Sequence, residues 1–338
     1  MKIALTSYLI YVDEAILASR PVGGIQNSAY HLYRGLQNRG WNIRLLYEPE
    51  GGPYDAIIFT QIYNPACEAI LKPGGKRILW NHLNACQGGD APHWNGIVYL
   101  TATQKEFLSS KWAKRYPVLA GVPQFVVPPP YWRKRFEGLP RAKYENRRLI
   151  FAGFPKKGVI QLYEMRHELN ELCQAYGATL DILTGGIIHG ITAGALKLPD
   201  FGDVPHINLL PPVPLPDLLR ELSKSSVFLY PSHVDEGCPL TVIYALVLGL
   251  PVITTDYLGL GEIAQGQFLI KPDTFAQNTI VPQMSERYKV QFLEATEQLL
   301  RDQTTWEIYH NRALNSPIVQ KAELDAVVAE WEKILCLT

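Results

Sequence analysis

The stretch Val227–Glu262, VFLYPSHVDEGCPLTVIYALVLGLPVITTDYLGLGE, constrains the fold more than any other part of the chain. Val227–Tyr230 is a short run of β-formers stopped by Pro231-Ser232, the pattern of a buried parallel strand whose carboxyl end opens into a loop. That loop carries His233, Asp235, Glu236 and Gly237. Pro239 suits a first helical position, because its fixed φ fits and its missing N–H would have no intrahelical partner there. Leu240–Leu248 continues as a helix that is apolar nearly all round, and such a helix must be buried. Gly249 closes it, Pro251–Thr254 is a second short strand, and Gly259 and Gly261 form a second loop ending in Glu262. A chain built this way is α/β with a parallel sheet.

In an open α/β sheet ligands sit beyond the carboxyl ends of the strands. A helix amino terminus with free N–H groups attracts anions, phosphates above all. Glu236 is therefore an acid placed beside an anion site. A carboxylate there repels phosphate, so it suits hydrogen bonds from a neutral polyol such as a sugar while backbone amides take the charge. The plainer alternative is that Glu236 caps its helix.

At 338 residues the chain is long for one domain and right for two. Lys+Arg and Asp+Glu both number 32, so no global charge argues for nucleic acid as a partner. Cys67, Cys86, Cys173, Cys238 and Cys336 lack metal-ligand or disulfide spacing, and no Asp-x-Asp motif is present, so no metal is expected and a reducing cytoplasm fits. The amino terminus is interrupted too soon by polar and acidic residues for a secretory signal and reads as a first strand. Leu240–Thr254, the longest apolar stretch, is too short and too broken to span a membrane.

Along the chain, strands are expected at Lys2–Thr6, Asn42–Tyr47, Asp55–Thr60, Arg77–Trp80, Ile97–Leu100 and Gln124–Val127. Helices are expected over Gln26–Arg39, after Gly23-Gly24, near Cys67–Leu71 and over Thr103–Lys114. Gly138–Arg148 has the composition of a linker. Beyond it, Leu149–Ala152 is a strand, followed by the glycine-flanked loop GFPKKG and one helix from Val159 to Tyr176. Strands Thr179–Thr184 and Ile207–Leu210 and helices Asp217–Ser225, Arg287–Arg301 and Ala322–Leu335 complete the pattern. Between Lys105 and Arg148 eleven basic residues face only Glu106, Glu137 and Glu145. With Phe107, Trp112, Tyr131 and Trp132 nearby, this region suits an anionic membrane surface or a lipid-diphosphate acceptor. A solvated face plus a charged linker accounts for it more simply.

The segment PSHVDEGCPLTVIYALVLGLPVITTDYLGLGE resembles the donor-site signature of GT-B glycosyltransferases of the retaining, glycogen-synthase-like and sucrose-synthase-like superfamily, the family 4-like group 1 enzymes. The resemblance implies two Rossmann-like domains facing across a cleft. Residues 1–140 would form the acceptor side, 141–148 the linker, 149–320 the donor-binding domain, and 321–338 a helix crossing back to the first domain. The implied reaction is metal-independent transfer of a sugar from a nucleotide-sugar donor to a hydroxyl acceptor with retention. No cofactor is implied. The nucleotide-sugar is substrate, a nucleoside diphosphate is product, and the acceptor is a glycan, a lipid-linked sugar or a small molecule. With the cysteine usage, the expected location is the cytoplasm, with peripheral contact at the inner face of the membrane as the alternative that the basic 105–148 region offers.

Residue by residue, the resemblance gives Glu236 the hydroxyls of the transferred sugar. The backbone of Gly237, Cys238, Pro239 and Leu240 would approach sugar and phosphate. Gly23-Gly24 is similar to the glycine pair whose amides face the donor phosphates. Lys157 matches the lysine that clamps the diphosphate, with Lys156 beside it; a diphosphate leaving group must have its developing charge neutralised. Gly185 opens the loop that meets the base, Glu262 would sit near phosphates or ribose, and His82, next to Asn81, ends a strand whose histidine faces the anomeric region. Two positions depart from the pattern: Tyr244 stands where the family has the glutamate that holds the ribose, and Phe154 where it has an arginine. Tyr244 implies weaker discrimination between ribose and deoxyribose donors. Two rivals stay open, the first of them motivated by these departures. One is an inactive relative that binds a glycan or a protein; the other is a nucleotide-sugar epimerase drawing an acid/base pair from His82, His233 and Glu236.

Overall fold

A computed structural model describes residues 1–6, 12–82, 93–115, 119, 121–184, 198–272 and 284–338. They form two compact units. The first comprises Met1–Ile16, Gly24–Arg133 and Gln320–Thr338, the second Leu17–Gly23 and Lys134–Val319.

The first unit contains β1 (Lys2–Thr6), β2 (Asn42–Leu46), β3 (Tyr54–Thr60), β4 (Leu71–Asn81), β5 (Gly96–Tyr99) and β6 (Gln124–Val126). All pair in parallel, in the order β2-β1-β3-β4-β5-β6. Runs such as Ile3–Leu5 and Ala56–Phe59 are buried throughout, as strands covered on both faces require. The helix Gly24–Asn38 packs closely against Leu324–Leu337. A Cβ at Gly35 would lie 2.5 Å from Val328 Cγ2, so only glycine lets the two helices meet. Trp41 Nε1 donates to Glu332 Oε1 at 2.9 Å across the same contact. The carboxyl-terminal helix thus returns to the first unit, as the resemblance implied.

The second unit contains β7 (Arg148–Gly153), β8 (Thr179–Thr184), β9 (Ile207–Leu210), β10 (Val227–Tyr230), β11 (Val252–Thr255) and β12 (Phe268–Ile270). These also pair in parallel, in the order β12-β11-β10-β7-β8-β9. The sheet grows from β7 through β8 and β9 on one side, then resumes at β10 on the other. Its order therefore reverses between β7 and β10, as the first sheet's reverses between β1 and β3, and such switch points are where doubly wound sheets bind ligands. At the amino end of β7, Arg148 Nε donates to Asp181 Oδ2 at 2.6 Å and Nη2 to Glu221 Oε2 at 2.7 Å, tying β7 to β8 and to the helix Leu215–Ser223.

Several elements differ from the expectation. The helix read near Cys67–Leu71 is a 3₁₀ turn, Pro65–Ile70, opened by Asn64, whose side chain accepts from Ala66 N at 3.0 Å; β4 already begins at Leu71. The helix read from Val159 to Tyr176 is two, Val159–Glu164 and Arg166–Tyr176, parted at Met165. The helix Gln303–Leu314 has no counterpart in the sequence reading. Gly138–Arg148, polar enough to read as a linker, is fastened to the second unit: Ala142 N donates to Leu248 O at 3.0 Å and Tyr144 OH to Leu300 O at 2.8 Å. Among the described residues, no helix is long and apolar enough to cross a membrane, and no group of three His, Cys, Asp or Glu side chains could hold a metal ion.

Candidate functional site

The strands on either side of the second unit's switch point both end in loops that carry chemistry. After β7, Gly153 and Phe154 lead into a single 3₁₀ turn, Pro155–Lys157, in which Lys157 N donates to Phe154 O at 2.8 Å. Gly158 ends the turn with φ of 148° and would set a Cβ 2.8 Å from Phe151 Cε2, so a side chain is excluded there on two counts. Lys156 is exposed and Lys157 half-buried.

Lys157 Nζ donates to Glu236 Oε2 at 2.9 Å. Glu236 lies in the loop after β10 and is 4% exposed. Its other oxygen, Oε1, accepts from Tyr230 OH at 3.0 Å. Tyr230 is the last residue of β10, and its ring stacks on Phe151 of β7 at 5.6 Å. Burial, then the neighbouring Glu236 carboxylate, raises the Tyr230 phenol well above its usual range, so it stays a proton-bearing donor. The Glu236 backbone is pinned as well. Its carbonyl accepts from Gly259 N at 3.1 Å, and a Cβ at Gly259 would stand 1.7 Å from Gly237 O. Leu258, immediately before, has φ of 46°, a conformation costly for a side-chain-bearing residue.

The helix Leu240–Val247 follows. Pro239 occupies its cap, one position earlier than expected, with φ of −70° and ψ of 120°; its carbonyl accepts from Val242 N at 3.1 Å. The first-turn amides of Leu240 and Thr241 have no intrahelical acceptor. Cys238, beside Gly237, is buried, and burial followed by the charges of Glu262 and Glu236 raises its thiol well above the usual range. It is held protonated and is no nucleophile. Glu262 is exposed in the short helix Gly259–Ile263.

Lys157, Glu236, Gly237, Cys238, Pro239, Leu240 and Glu262 are thus neighbours within one unit. The structure places Tyr244 differently from an open ribose contact. It is 2% exposed, its ring meets Phe136 edge-on at 5.7 Å, and its hydroxyl has no hydrogen-bond partner among the described residues. His82 belongs to the first unit, just after β4, where its backbone N donates to Gln61 Oε1 at 2.8 Å and its ring lies 4.3 Å from that of Trp80. Burial lowers its pKa to about 3, and that of His233 to about 4, so both imidazoles are neutral at physiological pH. Gly24 begins the helix Gly24–Asn38, with Gly23 just before it. Gly185 lies outside the described residues. Sequence reasoning missed Tyr230 and Thr241, whose hydroxyl also bonds Tyr230. The one available signal was a tyrosine closing a strand otherwise made of apolar residues.

Chemically the cluster has two halves. Lys157 and the amides of Leu240 and Thr241 suit an anion, whereas the Glu236 carboxylate, oriented by Tyr230, suits neutral hydroxyl groups.

Residues 146–302, which hold this whole cluster, match the family model described as glycosyl transferases group 1. Solved structures resemble the chain as well. A glycosyltransferase involved in avilamycin A biosynthesis is 17% identical with a TM-score of 0.60, over 98% of this chain and 96% of that one. Sucrose-phosphate synthase from Thermosynechococcus elongatus is 13% identical with a TM-score of 0.66, over 99% and 98%. The pneumococcal O-GlcNAc transferase GtfA, in complex with UDP and GlcNAc, is 15% identical with a TM-score of 0.56, over 83% of this chain and 56% of that one, so this chain spans little more than half its length. No curated protein sequence matches. At these identities the structures establish the two-domain fold.

Proposed function

Because its second unit matches the group 1 glycosyl transferases and its two sheets have the GT-B fold, we propose that the protein moves a sugar from a nucleotide-sugar to a hydroxyl acceptor with retention and without a metal. The observation that carries this reading is the Lys157–Glu236–Tyr230 cluster at the switch point of the matched unit. Lys157 and the first-turn amides meet the charge that develops on the leaving diphosphate, the task a metal performs in other sites. Glu236 holds the hydroxyls of the transferred sugar. The bond from the anomeric carbon to the diphosphate breaks, the bond to the acceptor oxygen forms on the same face, and the acceptor's proton passes to the diphosphate oxygen. Glu236 already accepts two hydrogen bonds and is a positioning group. A neutral His82 fits contact with a neutral sugar better than proton transfer, which also weakens the epimerase reading.

UDP is the first nucleotide to try, since it is bound in the GtfA structure. The test is incubation with UDP-glucose, UDP-GlcNAc, ADP-glucose and GDP-mannose, with EDTA and then with magnesium, followed by NMR of the first-formed anomer. Release of the retained anomer in EDTA is expected. An inverted product, or strict dependence on magnesium, would overturn the corresponding part of the reading. One observation favours the inactive relative: no carboxylate stands at 244, and the phenol there is sealed inside the unit. That reading requires that none of these donors is turned over and that no nucleoside diphosphate binds at millimolar concentration. Membrane docking through 105–148 draws less support, because Arg141, Arg147 and Arg148 are engaged within the second unit with Val247 O, Leu300 O and the Asp181/Glu221 pair. Co-sedimentation with anionic vesicles tests it.

A further inference from the structure

Within the first unit His82 is held from two directions, by groups to which the resemblance gives no role. The first hold comes from Gln61, the residue after β3. Thr60 lies opposite Trp80 as the last rung between β3 and β4, so the His82 amide has already passed the end of that ladder. Gln61 extends it by other means. Its N donates to Trp80 O at 2.9 Å, its backbone then turns at φ of 71°, and its side-chain Oε1 accepts from His82 N at 2.8 Å. Glycine adopts such a φ freely but has no carboxamide, whereas a residue with a side chain is strained there. A strained backbone on a fully buried glutamine is kept for what the side chain does, which here is to fix the main chain of His82.

The second hold is a file of three rings. The Trp80 ring lies 4.3 Å from that of His82, and the ring of Trp331, on the helix Leu324–Leu337, meets Trp80 edge-on at 5.3 Å. Both tryptophans are fully buried. Trp80 Nε1, Trp331 Nε1 and His82 Nε2 are all buried without a hydrogen-bond partner among the described residues. Ring contact, and not hydrogen bonding at these nitrogens, therefore orients all three. Buried polar atoms are ordinarily paired, and a core that only had to be filled would be served by purely apolar side chains. We propose that Gln61 and Trp331 are positioning residues for sugar transfer: Gln61 fixes the backbone of His82, and the carboxyl-terminal helix, acting from Trp331 through Trp80, sets the orientation of its imidazole. The assignment rests on the glycosyl-transfer reading, in which His82 contacts the transferred sugar. Such contacts weaken steeply with distance and angle, so an imidazole that drifts loses them.

The experiment compares Trp331→Leu, Trp331→Phe and Gln61→Met with the wild-type full chain. Three readouts are taken: kcat and KM with whichever nucleotide-sugar is turned over, UDP affinity by calorimetry, and the His82 ring resonance in histidine-labelled protein, assigned by its loss in His82→Gln. Trp331→Leu and Gln61→Met should each lower kcat about tenfold and displace the His82 resonance, while UDP affinity stays within about twofold of wild type. Trp331→Phe, which restores an aromatic edge, should recover most of the loss seen in Trp331→Leu. Should Trp331→Leu fail to fold, Gln61→Met and Trp331→Phe carry the test by the same readouts. An unmoved His82 resonance, an unchanged kcat, or a loss of UDP affinity in step with kcat would overturn the proposal. A displaced resonance in a protein whose wild type transfers no sugar would leave both holds on His82 standing and remove the transfer reading instead.

Discussion

Lys157 is paired with Glu236 at 2.9 Å, so a diphosphate that recruits Lys157 must compete with a carboxylate for it. At that distance and an effective dielectric constant of about 20, the attraction is about 6 kcal/mol. Most of it is offset by the desolvation of Glu236, whose side chain is 5% exposed, and by solvent screening of Lys157, whose side chain is 33% exposed. A net pairing on the order of 1–2 kcal/mol remains, and the Glu236 charge also repels the arriving phosphates. Glu236→Gln removes both effects. The variant should bind UDP about tenfold more tightly than the wild type at low salt, with the advantage shrinking at high salt. If Glu236 orients the sugar as proposed, the variant should nevertheless lose sugar transfer by roughly two orders of magnitude. Lys157→Met should move UDP affinity the other way. Isothermal calorimetry of wild type, both single variants and the double variant separates the terms. If Glu236→Gln binds UDP no better than the wild type, the ion pair is not a competitor for the phosphates and the assignment of Lys157 to the diphosphate fails.

Tyr230→Phe leaves Glu236 Oε1 without its donor inside the fold and should lower stability by about 1–3 kcal/mol, read by urea unfolding; an unchanged midpoint would mean that Tyr230 does not hold the carboxylate. Gly259→Ala forces a methyl into the Gly237 carbonyl, a backbone contact that no rotamer relieves, so a loss of about 3 kcal/mol or an insoluble product is expected. A normally stable, active protein would contradict the pinned loop. His82 at about 3 and His233 at about 4 titrate well below the unfolded value of about 6.5. The unfolded chain therefore takes up protons that the folded chain refuses. Stability present above about pH 6.5 should fall toward pH 4 by about 1.4 kcal/mol per pH unit for each histidine. His82→Gln should flatten that limb in urea titrations at pH 7, 6 and 5, and an unaltered slope counts against a neutral buried His82. With Tyr244 sealed against Phe136, UDP and 2′-deoxy-UDP should bind alike; a strong preference for UDP requires another ribose contact.

What the sequence made legible is what local chemistry determines. Apolar runs stopped by Pro-Ser or glycine located β7, β10 and β11, and the loops between them carried Lys157 and Glu236 in plain view. The helix Gln303–Leu314 was illegible because only Trp306 and Ala313 are buried along it, too few to draw an apolar stripe. The 3₁₀ turn at Pro65–Ile70 looks helical in composition, and only the Asn64 cap and the immediate start of β4 limit it. Tyr230 looks like strand filler in the sequence because its hydroxyl partner sits in a loop whose position Gly259, many residues later, fixes. Tyr244 was legible as a departure, but its burial depends on Phe136, in a segment whose charge made it look exposed.

The two switch points, taken one unit at a time, divide the chemistry of a transfer reaction by charge. The second unit brings a lysine and first-turn amides to its switch point and sets beside them the Glu236 carboxylate, already paired with the lysine. The first unit lines its switch point with hydroxyls, aromatic rings and one exposed acid. Phosphates meet the like charge of Glu48 and no cation among the described lining residues in the first crevice, whereas Lys157 and the first-turn amides of the second suit them. Specificity of this kind comes from unpaired charge as much as from favourable contacts. Glu48→Lys would remove the rejection in the first unit. That variant should acquire measurable binding of glycerol 3-phosphate without any change at Lys157, and its failure to do so would show that shape, and not charge, keeps phosphates out of the first crevice.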